Sequence, residues 1–189
     1  MFGGSFDPPH KAHLELVKLV LEKLELDHVL VTVANDPWQK SAVRQVTDSS
    51  HRLEMARLLF SGYSDATVTD IEFQLGSESN TAETLRALRS NYQDAEFYLL
   101  LGYDTAIGIE TWRNPDLVLN QSRVVVVERP GFTDIELPSI LSSAIRIKGL
   151  NLDISSENIR SLLKNEETIP DAIPQGIRNY IAKHGLYRE

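Results

Sequence analysis

The sequence predicts an α/β fold: a doubly wound parallel sheet with a small helical C-terminal region. Short runs of apolar, β-branched residues recur without polar alternation, which is typical of parallel strands buried on both faces. Segments with helical spacing of apolar residues lie between these runs, and this alternation favours a doubly wound fold. The 189 residues are enough for one compact domain, which we expect to span residues 1–189.

The first ninety or so residues alternate between helical and strand patterns. Residues 14–25 carry an apolar stripe at helical spacing, and residues 28–34 (HVLVTVA) form an apolar run that predicts a strand. A second helical pattern covers residues 49–60 and a third covers residues 81–90. Between them, residues 66–70 (ATVTD) predict a weaker strand.

The alternation continues in the second half of the chain. Residues 96–101 (EFYLLL) and 122–127 (SRVVVV) predict two further buried strands. Residues 115–119 between them predict a short helical piece, and residues 131–143 predict a loop.

The tail is predicted to be helical from about residue 150 to residue 189. Residues 155–164 open with a serine N-cap and carry apolar residues at helical spacing. Residues 174–184 open with proline and are closed by Gly185, as a second helix would be. We expect this region to belong to the same domain as the sheet.

The composition excludes several classes of function. A net charge of −8 and a pI near 5.2 argue against bulk nucleic-acid binding, which needs a dominant basic face. The chain has no cysteine, which excludes disulfides, thiol catalysis and thiolate metal sites. No apolar run reaches the roughly 18 residues that a membrane span needs, and no signal-peptide pattern is visible. We therefore expect a soluble cytoplasmic protein with no membrane partner, and a homo-oligomer is compatible with the sequence.

The chain opens with a glycine-rich turn that carries two histidines, GGSFDPPHKAH. Gly3 and Gly4 allow backbone N–H groups to approach an anion closely, and the helix that follows adds its positive end. His10 and His13 are three residues apart at the start of that helix, so both side chains can face one point. A polyphosphate suits such a turn, with the imidazoles donating to oxygens that gain charge.

Other interpretations of this turn remain open. The sequence lacks both GxxxxGK[ST] and GxGxxG, so it has neither a P-loop nor the dinucleotide fingerprint. The histidines could instead be two metal ligands, although the remaining His28, His51 and His184 form no ligand-like cluster with them. They could also be structural residues of an ordinary turn.

A second anion-binding pattern lies at residues 154–160 (ISSENIR). Ser155 or Ser156 is predicted to cap a helix, leaving N–H groups at its start for an anion. Arg160 follows one turn later on the same side as Ser156 and can grip phosphate oxygens through two N–H groups. Taken alone, this pattern also fits a capped surface helix.

Together the two patterns resemble the nucleotidylyltransferase superfamily, which has a Rossmann-like fold. The opening segment is similar to the motif GxFDPxHxGH and departs from it at Ala12, where the motif has glycine. Residues 154–160 resemble the ISSTxIR element, with Glu157 in place of threonine. The resemblance implies that ATP binds at the following residues: Gly4, Ser5, Phe6, His10, His13, Ser155, Ser156 and Arg160. It assigns catalysis to His10, His13 and Arg160.

Further segments resemble the nicotinate-nucleotide adenylyltransferase branch of this superfamily. Residues 101–113 are similar to its GxDxxxxxxxW stretch, which implies ATP binding by Gly102 and a ribose contact by Asp104. Trp112 would then stack on a pyridine ring. Residues 50–55 (SHRLEM) and 185–187 (GLY) also resemble segments of this branch.

Two loops complete the resemblance. Residues 79–85 are similar to SYTxxTL, which places Thr81 at the nicotinate carboxylate, although Asn80 replaces the usual tyrosine. Residues 35–40 resemble a variant of PxxxPPHK, and Lys40 would neutralise a phosphate of ATP.

The resemblance implies adenylyl transfer from ATP, carried with Mg²⁺, to nicotinate mononucleotide, giving deamido-NAD and pyrophosphate. The acceptor could instead be nicotinamide mononucleotide, phosphopantetheine, or a sugar or alcohol phosphate. A nucleotide-binding regulatory module without catalysis is the alternative outside the enzyme class. Ala12 favours that module, as does a first strand in which only Met1 and Phe2 precede the glycines. Either residues are missing before Met1, or the protein tolerates a short first strand.

Overall fold

The computed structural model describes residues 1–76, 78–128, 135–149, 152, 154–167 and 171–188, without the side chain of Gln39. Strands and helices follow one another along these residues, with two single 3-10 turns at Ile109–Thr111 and Ser139–Leu141. The strands are β1 (Phe2–Gly4), β2 (Val29–Val33), β3 (Ala66–Thr69), β4 (Tyr98–Gly102), β5 (Arg123–Val127) and β6 (Ile145–Ile147). The helices are α1 (Lys11–Leu24), α2 (Trp38–Ser41), α3 (Ser49–Phe60), α4 (Ile71–Leu75), α5 (Thr81–Asn91), α6 (Tyr103–Ala106), α7 (Pro115–Gln121), α8 (Ser156–Lys164) and α9 (Gln175–His184).

The six strands form one parallel sheet in the order β3-β2-β1-β4-β5-β6. The chain winds outward in one direction from β1 to β3 and in the other from β4 to β6, so the order reverses between β1 and β4. In open parallel sheets, ligands bind beyond the carboxyl ends of the strands at such a reversal.

Apolar side chains fill both faces of the sheet, which confirms the doubly wound prediction. Along β5, Val125 and Val127 face one core cluster, which also holds buried residues of α1, α3, α8 and α9. Val124 and Val126 face the other cluster, which holds buried residues of α5 and α7. Successive strand residues point to opposite faces, so an uninterrupted valine run serves both layers at once.

The N-terminal strand is short, and main-chain hydrogen bonds extend its pairing by one residue. Phe2 lies opposite Val31 on one side and Leu100 on the other. The amino group of Met1 donates to the Tyr98 carbonyl over 2.6 Å, and the Met1 carbonyl accepts from the N–H of Leu100 over 2.9 Å. These bonds hold the opening turn at the centre of the sheet.

Each strand and helix predicted from the sequence has its counterpart at that place in the chain. The first helix begins earlier than predicted, at Lys11, with His10 as its N-cap. Of the predicted loop, residues 131–134 lie outside the described residues, and the remainder contains the turn Ser139–Leu141. No helix among the described segments is both long and apolar enough to cross a membrane.

Candidate active site

Two adjoining cavities open where β1 and β4 end. The larger has a volume of about 530 Å³ and the smaller about 200 Å³. Their shared wall comes from β1 and the turn after it, from α2, from the end of β4 and from α6: Gly3, Gly4, Ser5, Lys40, Leu101 and Thr105. A ligand in one cavity and a ligand in the other would therefore meet at the opening turn.

The glycines of that turn are required by space rather than by an unusual backbone angle. A Cβ on Gly4 would lie 3.1 Å from a ring carbon of Phe6, closer than side chains normally approach. The residue with a left-handed backbone is Phe6 itself, with φ of 49°. Its buried ring packs edge-on against Phe2 and lies 4.9 Å from the ring of His13, centroid to centroid. Phe6 thus supports the turn from beneath.

His10 and His13 stand side by side in the larger cavity, with ring centroids 3.8 Å apart. The backbone N–H of His10 donates to Nδ1 of His13 over 3.1 Å. Because Nδ1 accepts, the neutral imidazole of His13 carries its proton on Nε2, which makes Nε2 a hydrogen-bond donor. Ala12 lies in the first turn of α1, where a methyl group is accommodated, so this departure from the motif is tolerated.

The second motif packs directly against the first. Ser155 is the N-cap of α8, and its hydroxyl accepts from the N–H of Asn158. The hydroxyl of Ser156 donates to the Pro8 carbonyl over 2.9 Å, and Nη1 of Arg160 donates to the Asp7 carbonyl over 2.7 Å. Both motifs therefore line one cavity, as their resemblance to one superfamily predicts. The roles of these residues toward ATP stay predictions.

Positive charge gathers around the shared wall. Nζ of Lys40 donates to the Ser5 hydroxyl over 3.0 Å, and Lys40 lines both cavities. Desolvation lowers the pKa of Lys40, and the nearby positive charge of Arg44 lowers it further. Arg44 and Arg160 line the larger cavity beside it. Like charges held this close favour a polyanion between them.

The remaining predicted residues divide between the two cavities. Gly102 and Asp104 line the larger cavity, and a Cβ on Gly102 would come within 2.6 Å of Oδ1 of Asp104, so glycine leaves room for that carboxylate. Thr81 and Trp112 line the smaller cavity, together with Trp38, which the sequence did not single out. Among the described residues, no group of three or more His, Asp or Glu side chains is placed to hold a metal ion.

A family model described as cytidylyltransferase-like matches residues 1–162. A probable nicotinate-nucleotide adenylyltransferase of Gemmatimonas aurantiaca is 35% identical over 100% of this chain and 92% of its own length. One of Bacillus licheniformis is 34% identical over 99% of this chain and 96% of its own length. The chain belongs to the nicotinate-nucleotide adenylyltransferase family.

Two solved structures share the fold. Plasmodium falciparum nicotinic acid mononucleotide adenylyltransferase complexed with NaAD matches with a TM-score of 0.79, covering 98% of this chain and 95% of that one. The same enzyme complexed with APC matches with a TM-score of 0.76. Their sequence identities are 23% and 22%, so this likeness concerns the fold.

The family's opening turn is held here by a buried carboxylate that the sequence did not assign to the site. Asp7 accepts from Nη1 of Arg44 over 2.6 Å and from the Tyr187 hydroxyl over 2.8 Å. Burial alone would raise the pKa of Asp7, but hydrogen bonds from Thr47, Arg44 and Tyr187 outweigh it and lower the pKa. Tyr187 is the tyrosine of the GLY segment, and its φ of 66° is left-handed.

A buried arginine fixes three segments of the adenylyltransferase site. Arg52 is 1% exposed, and its guanidinium donates to four main-chain carbonyls. These carbonyls belong to Ser5, Ala34, Asn35 and Thr47, at distances of 2.7 to 3.0 Å. The opening turn, the end of β2 and the approach to α3 are thereby tied together. Arg52 lies in SHRLEM, so the similarity of that segment to the branch was the signal available in the sequence.

We expect Asp7→Asn to destabilise the protein at pH 7 by about 2–3 kcal/mol, because a buried acceptor of charged hydrogen bonds loses its charge. The folded-state pKa of Asp7 lies below its usual 3.8, so the carboxylate stabilises the fold above that pH. This stabilisation is lost as the pH falls below 3.8 towards the folded pKa. Urea unfolding between pH 7 and pH 3 should show the deficit of the variant shrinking toward acid.

The control is Asp94→Asn, in an exposed turn, which should stay within about 0.5 kcal/mol of the parent at each pH. A deficit of Asp7→Asn that is constant with pH would mean that the charge of Asp7 contributes nothing to stability.

Proposed function

We propose that this chain transfers the adenylyl group of ATP to the 5′-phosphate of nicotinate mononucleotide, giving deamido-NAD and pyrophosphate in NAD biosynthesis. The observation that carries the proposal is the junction of two cavities at the glycine-rich opening turn. The larger cavity holds the histidines and Arg160, and the smaller holds Trp112. The names of the relatives and the NaAD complex of the structural neighbour support the same reaction.

The chemistry needs alignment rather than an enzyme nucleophile. An anionic oxygen of the acceptor phosphate attacks the α-phosphorus of ATP in line, the bond from phosphorus to the bridging oxygen breaks, and pyrophosphate leaves. His13, with its Nε2 proton, and His10 would donate to the oxygens that gain charge in the transition state. Neutral imidazole suffices for this, because the accepting Nδ1 already fixes the tautomer.

The triphosphate end of ATP would be held by the start of α8 and by the side chains of Arg160 and Lys40. Because the Ser156 hydroxyl donates its proton to Pro8, the backbone N–H groups of Ser155 and Ser156 and the positive helix end are the better phosphate contacts there. Arg160 uses one of its five N–H donors on Asp7 and can direct others to phosphate. Lys40 on the shared wall would neutralise charge between the two substrates.

The nucleoside ends would point away from the shared wall. Gly102 and Asp104 would contact the ribose and adenine end of ATP, and Gly4, Ser5 and Phe6 would form the turn beneath its phosphates. Thr81 and Trp112 would contact the pyridine nucleotide. Family membership supports a divalent cation in general terms, and we propose that Mg²⁺ enters bound to ATP as part of that substrate. All these parts lie in one proposed catalytic domain, residues 1–189.

The test is pyrophosphate release from ATP and Mg²⁺ with a panel of acceptors. Nicotinate mononucleotide should give the highest kcat/KM, above nicotinamide mononucleotide, phosphopantetheine and sugar or alcohol phosphates. A higher value for any other acceptor would replace the proposed substrate. ATP binding without release for every acceptor would instead support a regulatory module.

We expect Trp112→Ala to raise the KM for the mononucleotide about fivefold or more, because stacking on indole contributes about 1 kcal/mol. The fall in kcat should be smaller, since the ring is remote from the reacting phosphorus. Steady-state kinetics with Tyr92→Ala, an aromatic residue 47% exposed on the surface, provide the control. An unchanged KM in Trp112→Ala would mean that the pyridine ring does not stack there.

A further inference from the structure

One of the positive charges that line the smaller cavity lies outside the shared wall. Among its lining residues that the structure describes, two have cationic side chains, Lys40 and Arg113. Lys40 belongs to the wall shared with the larger cavity and contacts Ser5. Arg113 lines the smaller cavity but not the larger one, and it directly follows Trp112 in the sequence. A ring stacked on Trp112 would therefore have Arg113 as its neighbouring cation.

Arg113 already binds a carboxylate of the protein. Its Nη2 forms an ion pair with Glu78, and its guanidinium carbon lies 5.3 Å from the centroid of the Trp38 ring. Both members of the ion pair are about half exposed, with side-chain exposures of 50% for Arg113 and 47% for Glu78. Exposed ion pairs of this kind are weak, so another carboxylate can replace Glu78 on the guanidinium at little cost.

At the start of α5, one N–H donor next to Thr81 is taken up by the protein itself. The side chain of Asn80 accepts from the N–H of Ala82 over 3.1 Å, so that donor is taken up by the helix cap. Among the described residues that line this cavity, Glu72 is the acidic one; it accepts hydrogen bonds from the N–H of Asn35 and the hydroxyl of Thr84, and burial raises its pKa.

We propose that Arg113 binds the carboxylate of nicotinate mononucleotide and so selects it over nicotinamide mononucleotide; this inference rests on the proposed function. A guanidinium presents N–H donors in a fork that matches the two oxygens of a carboxylate. A carboxamide offers one acceptor and turns an NH₂ group toward the same donors, which leaves donors facing donors. Stacking on the Trp38 ring holds the guanidinium beside the cavity and adds no further charge.

Intrinsic fluorescence can measure this selectivity without turnover. The chain has two tryptophans, Trp38 and Trp112, and both line the smaller cavity. We would titrate each mononucleotide in the presence of an ATP analogue with a methylene bridge between the α- and β-phosphates, and record the Kd from the change in emission. Kinetics with ATP would give kcat/KM for the same two acceptors.

Arg113→Gln should weaken binding of nicotinate mononucleotide about 10- to 100-fold and change that of nicotinamide mononucleotide less than about threefold. The Kd of Arg113→Lys for nicotinate mononucleotide should lie between those of Arg113→Gln and the parent, because lysine keeps the charge but lacks the forked pair of donors. Glu78→Gln should tighten the binding of nicotinate mononucleotide, since the carboxylate that competes for Arg113 is gone. Arg86→Gln, which removes an arginine of an exposed pair with Glu83 outside both cavities, should leave both Kd values unchanged.

Equal weakening of both mononucleotides in Arg113→Gln, or no weakening of either, would overturn the assignment of Arg113. Failure of the proposed function is distinguishable from that result. A parent protein that releases no pyrophosphate with either acceptor, yet loses its fluorescence-measured preference on Arg113→Gln, contradicts the activity and supports the carboxylate site.

Discussion

His13→Ala should lower kcat for adenylyl transfer about 100- to 1,000-fold, the loss expected when a donor to the transition state is removed. The imidazole of His13 packs on His10 and Phe6 in the larger cavity, and its Nδ1 is oriented by the N–H of His10. Because the charge on the α-phosphoryl oxygens grows during the reaction, the KM for ATP should change much less than kcat. Steady-state assays of pyrophosphate release measure both constants.

The matched control is His28→Ala, an exposed histidine that lies outside both cavities and contacts Thr67. Its kcat should equal that of the parent. If the kcat of His13→Ala stays within about fivefold of that of the parent, His13 has no part in the mechanism.

Arg52→Ala should lower the free energy of unfolding by about 4 kcal/mol, because four main-chain carbonyls lose a buried charged donor and a large cavity replaces the side chain. For a chain of this length the melting temperature should fall by about 10 °C. Thermal and urea unfolding followed by circular dichroism provide the measurement.

Arg57→Ala on the same helix is the comparison, since Arg57 is 48% exposed and its ion pairs to Glu54 and Asp70 span 3.7 and 3.9 Å. Such pairs contribute about 0–1 kcal/mol. Equal losses of stability in the two variants would show that the hydrogen bonds from Arg52 to the carbonyls add no more to the free energy of unfolding than an exposed ion pair does.

The long elements of this fold could be predicted because periodicity needs length to become visible. The valine run of β5 and the apolar stripe of α1 extend over enough residues to distinguish strand from helix. The helices α2, α4 and α6 and the strand β6 have three to five residues each, too few to show a periodic pattern. They are set by tertiary contacts, so the sequence alone did not indicate them.

The same distinction holds for the site. His10, His13, Ser156 and Arg160 stand in patterns whose spacing already suggests anion binding, and the fold brings them to one cavity. Arg44 donates to a carboxylate 37 residues away, and Arg52 to carbonyls of other segments. No spacing in the sequence encodes such long-range partners.

Trp38 and Arg113 show a further limit. Trp38 begins α2 and Arg113 follows the turn Ile109–Thr111, so their contact depends on how these two segments approach each other. The sequence therefore shows Arg113 next to Trp112, but not the contact of Arg113 with Trp38. Neighbours that are distant in sequence become visible only when the sheet has placed both segments at its edge.

The bond from Tyr187 to Asp7 joins residues 180 positions apart in the chain. A ribosome releases the opening turn long before it has made the segment that completes it. The carboxylate can reach its final hydrogen-bonded state only after the segment that follows α9 has docked, so the opening turn is completed among the last parts of the molecule. A protease that trims the residues after α9 would accordingly loosen the far end of the chain, at the opening turn.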